Sequence, residues 1–226
     1  MLDVSSTTLW LMPTDFERQR FLSRWRRYFP ERSLPSIKLC GFGPIAAGVV
    51  TAQWLAHERP SEVVLLGIGG TFDPIVAPVG TAVEIGQITT DTVGAQRRGQ
   101  ATLAAGAWEL PGELGFPQVP MGLELPEGSL SAAVSQDLDL GVAAGVRLLT
   151  VGVASGSRAT ALARRERFPG VLVEDMEGFA VALACRLVGV RCLIFRGLTN
   201  EVGDREFANW RIDEALDSLA QLVVRK

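Results

Sequence analysis

VEDMEGFAVALAC, residues 173–185, places two carboxylates, a methionine and a Glu-Gly pair directly before an unbroken apolar run. The apolar run predicts a buried helix from Met176 to Val188, and the preceding VLVED predicts the end of a strand. Glu177 then falls in the first turn of a buried helix, where a desolvated carboxylate is costly. It either complements the helix dipole or faces a polar cavity, and its apolar surroundings favour the cavity.

Strand-like and helix-like segments alternate on both sides of this stretch. Strands are predicted at Thr7–Met12, Ser36–Cys40, Glu62–Ile68, Val79–Thr89, Arg147–Val153, Val171–Asp175 and Arg191–Thr199. Helices are predicted at Asp15–Phe29, Pro44–His57, Ala159–Phe168, Met176–Val188 and Ile212–Val224. This alternation predicts an α/β fold in which both faces of the sheet are covered, a three-layer α/β/α domain with a mixed, largely parallel, twisted central sheet. Residues 93–135 are rich in Gly and Pro and predict loops with short strands.

The bulk properties limit the class of protein. A chain of 226 residues suits one domain, expected to span 1–226, and a net charge of -3 provides no cationic field for a nucleic-acid partner. Apolar runs stop well before the ~20 residues that a membrane span needs. The start, MLDVSSTTLW, does not have the pattern of a signal peptide. We therefore expect a cytoplasmic protein with neither nucleic-acid nor membrane partners.

The cysteines and the single histidine exclude several chemistries. Cys40, Cys185 and Cys192 lie in apolar contexts without metal-ligand spacing, so we expect reduced, buried thiols and neither a metal nor a cofactor. His57 is the only histidine, and it ends a predicted helix, where a structural or solvated role is usual. One histidine argues against Ser-His-Asp and Cys-His hydrolases and against His-ligated zinc. Acid–base chemistry must then use carboxylates, amides, arginines or water.

One basic segment allows an alternative reading. RQRFLSRWRRYFPER, residues 18–32, interleaves six arginines with aromatic residues, a pattern that nucleic-acid-binding segments share. A solvated helix face produces the same pattern and is the commoner explanation. The segment therefore predicts an amphipathic helix rather than a nucleic-acid interface.

Five polar stretches follow predicted strands. They are PTDFE, GIGGTFD, ASGSRAT, EDMEG and TNEVGDR. Ligands of parallel α/β sheets bind beyond the carboxyl ends of the strands, so we expect these stretches to form one site. The adjacent glycines of GIGGTFD allow close approach of a ligand to the backbone, and the absence of a following Lys excludes a P-loop.

Three polar residues in these stretches are candidates for chemistry. Glu17 and Glu177 lie at predicted helix starts, and Asn200 lies at the end of a predicted strand. Each alone has a structural explanation at least as good, namely a helix dipole for the glutamates and a turn for the asparagine. Their joint occurrence at adjoining strand ends favours a functional site.

EDMEGFAVALAC, followed by an apolar strand that ends in RGLTN, resembles the nucleoside phosphorylase and nucleosidase superfamily. GFGPIAAG and GIGGTFDP are similar to its early glycine-rich turn and its ribose-side turn. The branch most similar is that of the methylthioadenosine/adenosylhomocysteine nucleosidases, and RGLTNEVGDREFANW resembles the last site loop of futalosine hydrolases within it. The resemblance extends from about Leu9 to the C-terminus, with residues 93–135 hard to place.

The resemblance implies roles for residues on the sugar side. Glu17 matches the carboxylate that positions and activates water against the anomeric carbon. Glu177 matches the acceptor for ribose hydroxyls, and Met176 packs against the sugar. Ile68 and Gly69 line the ribose side. An N-glycosidic bond breaks through a cation-like sugar, which nearby carboxylates stabilise.

On the base side, the resemblance places Ala154 and Ser155 against the purine, in part through backbone contacts. Asn200 stands where adenine-specific nucleosidases carry an aspartic acid that protonates N7. A carboxamide is no general acid, but its NH2 can donate towards N7 and O6 of a 6-oxopurine, whose O6 an ionised Asp would repel. Asn200 therefore favours a hypoxanthine nucleoside. The implied reaction is hydrolysis of futalosine to hypoxanthine and dehypoxanthine futalosine, a step towards menaquinone.

Other functions remain open at this point. A methylthioadenosine/adenosylhomocysteine-type nucleosidase and a purine nucleoside phosphorylase share the resemblance, although GIGGTFD supplies no cationic phosphate ligand. A nucleoside-binding module without turnover is a third alternative. The family's usual site borrows residues from a neighbouring subunit, which implies a homo-oligomer. Futalosine ends in an aromatic carboxylate, for which Arg97 and Arg98 are possible partners, although a solvated loop pair is the commoner explanation.

Overall fold

Strands and helices alternate in the computed structural model, which describes residues 8–92, 94–96, 102–104, 137–140 and 145–225. The strands are β1 (Thr8–Met12), β2 (Ile37–Leu39), β3 (Glu62–Thr71), β4 (Ala82–Asp91), β5 (Gly94–Gln96), β6 (Thr102–Ala104), β7 (Asp137–Asp139), β8 (Val146–Val151), β9 (Val173–Asp175) and β10 (Arg191–Glu201). The helices are α1 (Asp15–Tyr28), α2 (Pro44–Glu58), α3 (Arg158–Arg167), α4 (Gly178–Leu187) and α5 (Ile212–Val224), with a 3-10 turn at Phe207–Asn209.

The main sheet is mixed and closes on itself. β2, β1, β3 and β10 pair in parallel in that order, and β10 pairs antiparallel with β4. β4 and β9 flank β8 in parallel, and β9 returns to β3 in antiparallel orientation. The predicted mixed, largely parallel sheet is confirmed. Its closure was not predicted, because it depends on β9, a three-residue strand whose pairing direction has no local signature.

Alternating side chains on the central strands face two helical layers. Leu11 and Leu65 belong to one buried cluster, which includes Val181 and Cys185 of α4. Their neighbours Met12 and Leu66 belong to a second cluster, which includes Phe21 of α1 and Leu216 of α5. Because successive strand residues point to opposite faces, both faces of the sheet are buried under helices. The predicted three-layer α/β/α fold is confirmed.

Element boundaries near the opening stretch differ from the prediction. The helix begins at Gly178 rather than at Met176, so Glu177 precedes the helix instead of lying in its first turn. The reason is that Asp175 accepts the Gly178 N–H at 2.8 Å, which fixes the start of α4. Strand β10 extends through Asn200 to Glu201, and so Asn200 lies within a paired strand rather than in a turn.

Other predictions concern the cysteines, the histidine, the basic helix and membrane spans. The three cysteines are buried thiols without disulfide bonds, and His57 is exposed in the last turn of α2. On α1, Arg26 and Arg27 are exposed, whereas Arg24 is 16% exposed and pairs with Asp217 of α5 at 3.4 Å. None of the helices that the structure describes is long and apolar enough to cross a bilayer. Arg97 and Arg98 lie outside the described residues.

Candidate active site

A cavity of about 350 Å³ lies at the strand ends. All five polar strand-end stretches contribute to its wall. The predicted site residues all line it: Glu17, Ile68, Gly69, Ala154, Ser155, Met176, Glu177 and Asn200. The tertiary structure therefore brings together residues that are up to 183 positions apart between Glu17 and Asn200.

Glu17 is held at the start of α1 with its carboxylate inside the cavity wall. Thr14, the N-cap residue, donates its hydroxyl to Glu17 Oε2, and the Ile68 N–H donates to Oε1 at 3.0 Å. Only 4% of Glu17 is exposed, and burial raises the pKa of its carboxyl group. The two hydrogen bonds and the charge of Arg196 oppose this rise. Glu17 is thus an oriented carboxylate with a raised proton affinity.

Glu177 lies just before α4 and makes no side-chain cap for that helix. Its Oε1 accepts the N–H of Gly43 at 2.9 Å, where Gly43 has a φ of 82° that disfavours other residues. Burial and then the charge of Asp175 raise the pKa of Glu177 to about 7, against the opposing charge of Arg196. Only 4% of Glu177 is exposed, so its ionised form is poorly solvated.

A buried ion pair between Asp175 and Arg196 supports both glutamates, and neither partner is among the predicted site residues. Asp175 Oδ2 accepts hydrogen bonds from Arg196 Nε at 3.0 Å and Nη2 at 2.6 Å, with both side chains fully buried. Arg196 Nη2 also lies 3.9 Å from Glu177 Oε2. Gly67 leaves the space for this arrangement, because a Cβ there would lie 3.0 Å from Arg196 and 3.2 Å from Glu17. One arginine thus balances three carboxylates.

A second ion pair holds the Ala154–Ser155 segment. Glu174 accepts the Ser155 N–H at 2.8 Å and the Ser155 hydroxyl at 2.7 Å. Arg164 of α3 donates to Glu174 at 3.0 Å and to Asp91 at 3.1 Å. Glu174, like Asp175, is not among the predicted site residues. Because the Ser155 N–H is already bonded to Glu174, Ser155 shapes the cavity wall without offering that N–H to a ligand.

Asn200 lines the cavity with its amide already bonded to protein. Its Nδ2 donates to the main-chain carbonyls of Glu201 at 2.8 Å and Asp204 at 3.2 Å, and its Oδ1 accepts the Thr199 hydroxyl at 2.9 Å. Exchanging the two amide atoms would face Oδ1 against two carbonyls, so the contacts determine the orientation. Both Nδ2 hydrogens are occupied, and a contact to a ligand requires one of these carbonyls to be displaced.

Signals for some of the overlooked residues were present in the sequence. Arg196 interrupts the apolar run RCLIFRGLT, and an arginine within a buried strand requires a buried carboxylate partner. The pair Glu174–Asp175 directly before Met176 was a candidate source of that partner. Arg164 had no such signal, because it lies in a helix with arginines at neighbouring positions.

Comparisons with known proteins identify the family of this chain. The sequence model of the phosphorylase superfamily matches residues 16–225. Futalosine hydrolase of Streptomyces coelicolor is 38% identical over 191 residues, which cover 81% of this chain and 74% of that protein. The chain belongs to the phosphorylase superfamily, in its futalosine hydrolase family. The futalosine hydrolase of Thermus thermophilus is 32% identical to this chain over 185 residues, which cover 82% of this chain and 77% of the Thermus protein.

A solved structure of the superfamily has the same fold as this member. The 5'-methylthioadenosine/S-adenosylhomocysteine nucleosidase from Colwellia psychrerythraea, in complex with adenine, superimposes with a TM-score of 0.65. The alignment covers 97% of this chain and 94% of that one at 19% identity. At 19% identity, this likeness shows the fold of the chain alone.

Proposed function

We propose that this protein hydrolyses the N-glycosidic bond of futalosine, releasing hypoxanthine and dehypoxanthine futalosine. The observation that carries the proposal is the placement of Glu17 and Glu177 in one cavity, both buried and both with a raised pKa. Two such carboxylates are suited to stabilise a cationic sugar and to accept a proton. Membership of the futalosine hydrolase family supports the choice of substrate.

Glu17 acts as the general base in this proposal. It accepts a proton from the water that attacks the anomeric carbon, while the electrons of the C–N bond leave with the purine. A carboxyl group with a raised pKa holds that proton more readily than an ordinary one. Thr14 and Ile68 donate to the two oxygens of Glu17 and thereby support a fixed orientation.

Glu177 accepts hydrogen bonds from the ribose hydroxyls, and Met176 packs against the sugar. Among the described residues, Glu177 accepts one hydrogen bond, from Gly43 to Oε1, and Arg196 lies 3.9 Å from Oε2. Acceptor capacity therefore remains for vicinal hydroxyls. A sugar held in this way keeps its anomeric carbon aligned with the water.

Asn200 donates towards N7 and O6 of the leaving hypoxanthine. Both Nδ2 hydrogens bond to the carbonyls of Glu201 and Asp204, so donation to the purine requires an exchange. The purine replaces one carbonyl as the acceptor when it enters. Ala154 and Ser155 form the opposite base contact, and Glu174 supports their position.

The test is product release from purified protein. Futalosine and methylthioadenosine are incubated separately, and hypoxanthine and adenine are quantified by chromatography with and without phosphate. We expect phosphate-independent release of hypoxanthine from futalosine. Adenine release without hypoxanthine release would identify the other nucleosidase, and a phosphate-dependent rate would identify a phosphorylase.

Three coarser features belong to the same proposal. We infer one nucleosidase domain over residues 1–226, in line with the family match over 16–225. A homo-oligomer is supported by Ile45 and Val49, which are 83% and 58% exposed one turn apart on α2. Sedimentation analysis of the purified protein tests this state. A cytoplasmic location is supported by the three buried thiols, and fractionation of the source cells tests it.

A further inference from the structure

Aromatic side chains surround the open side of the cavity. Phe16, Phe42 and Phe207 line it and remain 43%, 66% and 62% exposed, and Trp210 lies 5.4 Å from Phe207 between ring centroids. We call these four residues the aromatic rim. They come from three separate chain segments, so local sequence does not explain their convergence. Exposed apolar side chains that converge on a cavity indicate that a ligand covers them.

Arg205 stands within this rim and differs from the other arginine of the site. Its guanidinium lies 5.0 Å from the centre of the Trp210 ring. Among the described residues that line the cavity, it is the only one with a positive charge, and no described carboxylate lies within ion-pair distance of it. Arg196, by contrast, is bonded to Asp175 and close to Glu177.

The position of Arg205 over the Trp210 ring leaves its N–H donors available to an anion. A carboxylate can then approach edge-on and accept two parallel hydrogen bonds. Rim side chains beside the guanidinium supply apolar surface for a planar ring.

We propose that the aromatic rim and Arg205 form a subsite for an aryl carboxylate at the end of the nucleoside remote from the purine. The inference rests on the proposed function, since futalosine ends in such a group. Arg205 then takes the role of carboxylate partner for which the sequence offered Arg97 and Arg98. The rim holds the ring, and Arg205 binds the carboxylate, so the subsite selects substrates by a charge far from the bond that breaks.

The experiment compares three substrates on four proteins. Futalosine carries the ring and the charge, its methyl ester carries the ring alone, and inosine lacks both. The proteins are wild type, Arg205→Met, Arg205→Lys and the control Arg186→Met, which removes an exposed arginine from the last turn of α4. Values of kcat and KM for hypoxanthine release are measured at low and high salt.

We expect Arg205→Met to lower kcat/KM for futalosine about tenfold, mainly through KM, because a charge-assisted hydrogen bond is lost. The values for the ester and for inosine should not change. Arg205→Lys should retain part of the preference for futalosine over the ester, and salt should weaken that preference in wild type.

Contrary results separate the two proposals. If wild type cleaves futalosine but Arg205→Met lowers kcat/KM equally for all three substrates, the residue is structural and the subsite is overturned. The subsite is also overturned if wild type does not distinguish futalosine from its ester. If wild type cleaves inosine but not futalosine, the proposed function fails first and the subsite fails with it.

Discussion

Four buried carboxylates around the cavity divide into two kinds. Asp175 and Glu174 each accept hydrogen bonds from an arginine and from neighbouring groups, through Arg196 and Arg164 respectively. In the described part of the chain, no arginine donates a hydrogen bond to Glu17 or Glu177, and both carboxylates lie in the field of Arg196. The charges of Asp175 and Glu174 are paired with arginines within the protein. Burial, by contrast, raises the pKa of Glu17 and of Glu177.

This difference distinguishes carboxylates that hold the site in place from carboxylates that can contact a substrate. A carboxylate that is fully paired has little capacity left for a substrate, but it fixes the groups that it touches. A buried carboxylate without its own counter-charge is costly to folding and therefore available to hydroxyls, water or a cationic sugar. Within EDME, Glu174 and Asp175 are therefore supports, and Glu177 is the proposed ligand contact.

The largest expected effect is on turnover by Glu17→Gln. The amide keeps the size of the side chain but cannot accept the proton from water, so we expect kcat for hypoxanthine release to fall about a thousandfold. Thermal unfolding of the variant serves as the control for folding. Unchanged turnover would overturn the role of Glu17 as the base. A nucleoside-binding module without turnover would show no rate for either protein.

Asp175→Asn tests the carboxylates that are paired with an arginine. It leaves Arg196 fully buried with its main counter-charge removed, and we expect the free energy of unfolding to fall by about 3 kcal/mol. Asp213→Asn is the matched control, because Asp213 pairs with Arg24 while 70% exposed, and should cost less than about 1 kcal/mol. Urea unfolding measures both, and equal losses would contradict the distinction.

Asn200→Asp adds a carboxylate that has no arginine among its hydrogen-bond partners. The new charge would face the carbonyls of Glu201 and Asp204 and repel O6 of hypoxanthine. We expect hypoxanthine release to fall about a hundredfold through loss of one donor to the leaving group. Gln221→Glu, an exposed amide-to-carboxylate change on α5, is the control. Equal or faster release from futalosine by Asn200→Asp would overturn the proposed contact.

Glu177→Gln should lower turnover and yet stabilise the protein above neutral pH. Burial raises the pKa of Glu177 from its ordinary value of 4.5 to about 7, so the folded state binds a proton more tightly than the unfolded state. The stability from this group is therefore complete below pH 4.5 and is lost as pH rises through about 7. Glutamine carries no charge, so the gain at pH 8 should be on the order of 2 kcal/mol.

Chemical denaturation at pH 5 and pH 8 measures this gain, with Glu31→Gln on the exposed surface as the control. A gain that is equal at both pH values would show that titration of Glu177 is not its cause. In the wild type, kcat/KM should rise with pH through the region near 7, because the ribose contact needs the ionised carboxylate. A profile that is flat there would contradict that contact.

The smallest expected effect is that of Glu174→Gln. The amide keeps one acceptor for Ser155 but loses the charge that pairs with Arg164, so the base-side wall loosens. We expect KM to rise about fivefold, equivalent to one weakened hydrogen bond, while kcat changes little. Glu166→Gln, exposed on α3, is the control. A fall in kcat at constant KM would place Glu174 among the reacting groups instead.

The helices and strands were largely predictable, and the supports of the site were not. Periodicity placed α1, α2 and α5 within a few residues, because one face of each helix is apolar. The start of α4 was misplaced, because Asp175 caps it from the end of a strand. Asn200 was identified from its motif, but the occupation of its Nδ2 by two carbonyls depends on how the loop 201–204 folds back.

The sequence by itself determined the layered α/β fold, the five strand ends that meet, and the residue types at the candidate site. These follow from local patterns, since apolar periodicity and strand-end polarity are properties of neighbouring residues. Only the tertiary structure decided which carboxylates are neutralised and which are not, and that Arg205 joins an aromatic rim. Proton affinity and ligand shape depend on burial and on charges distant in sequence. VEDMEGFAVALAC alone does not show that Asp175 is bonded to Arg196 or that burial raises the pKa of Glu177.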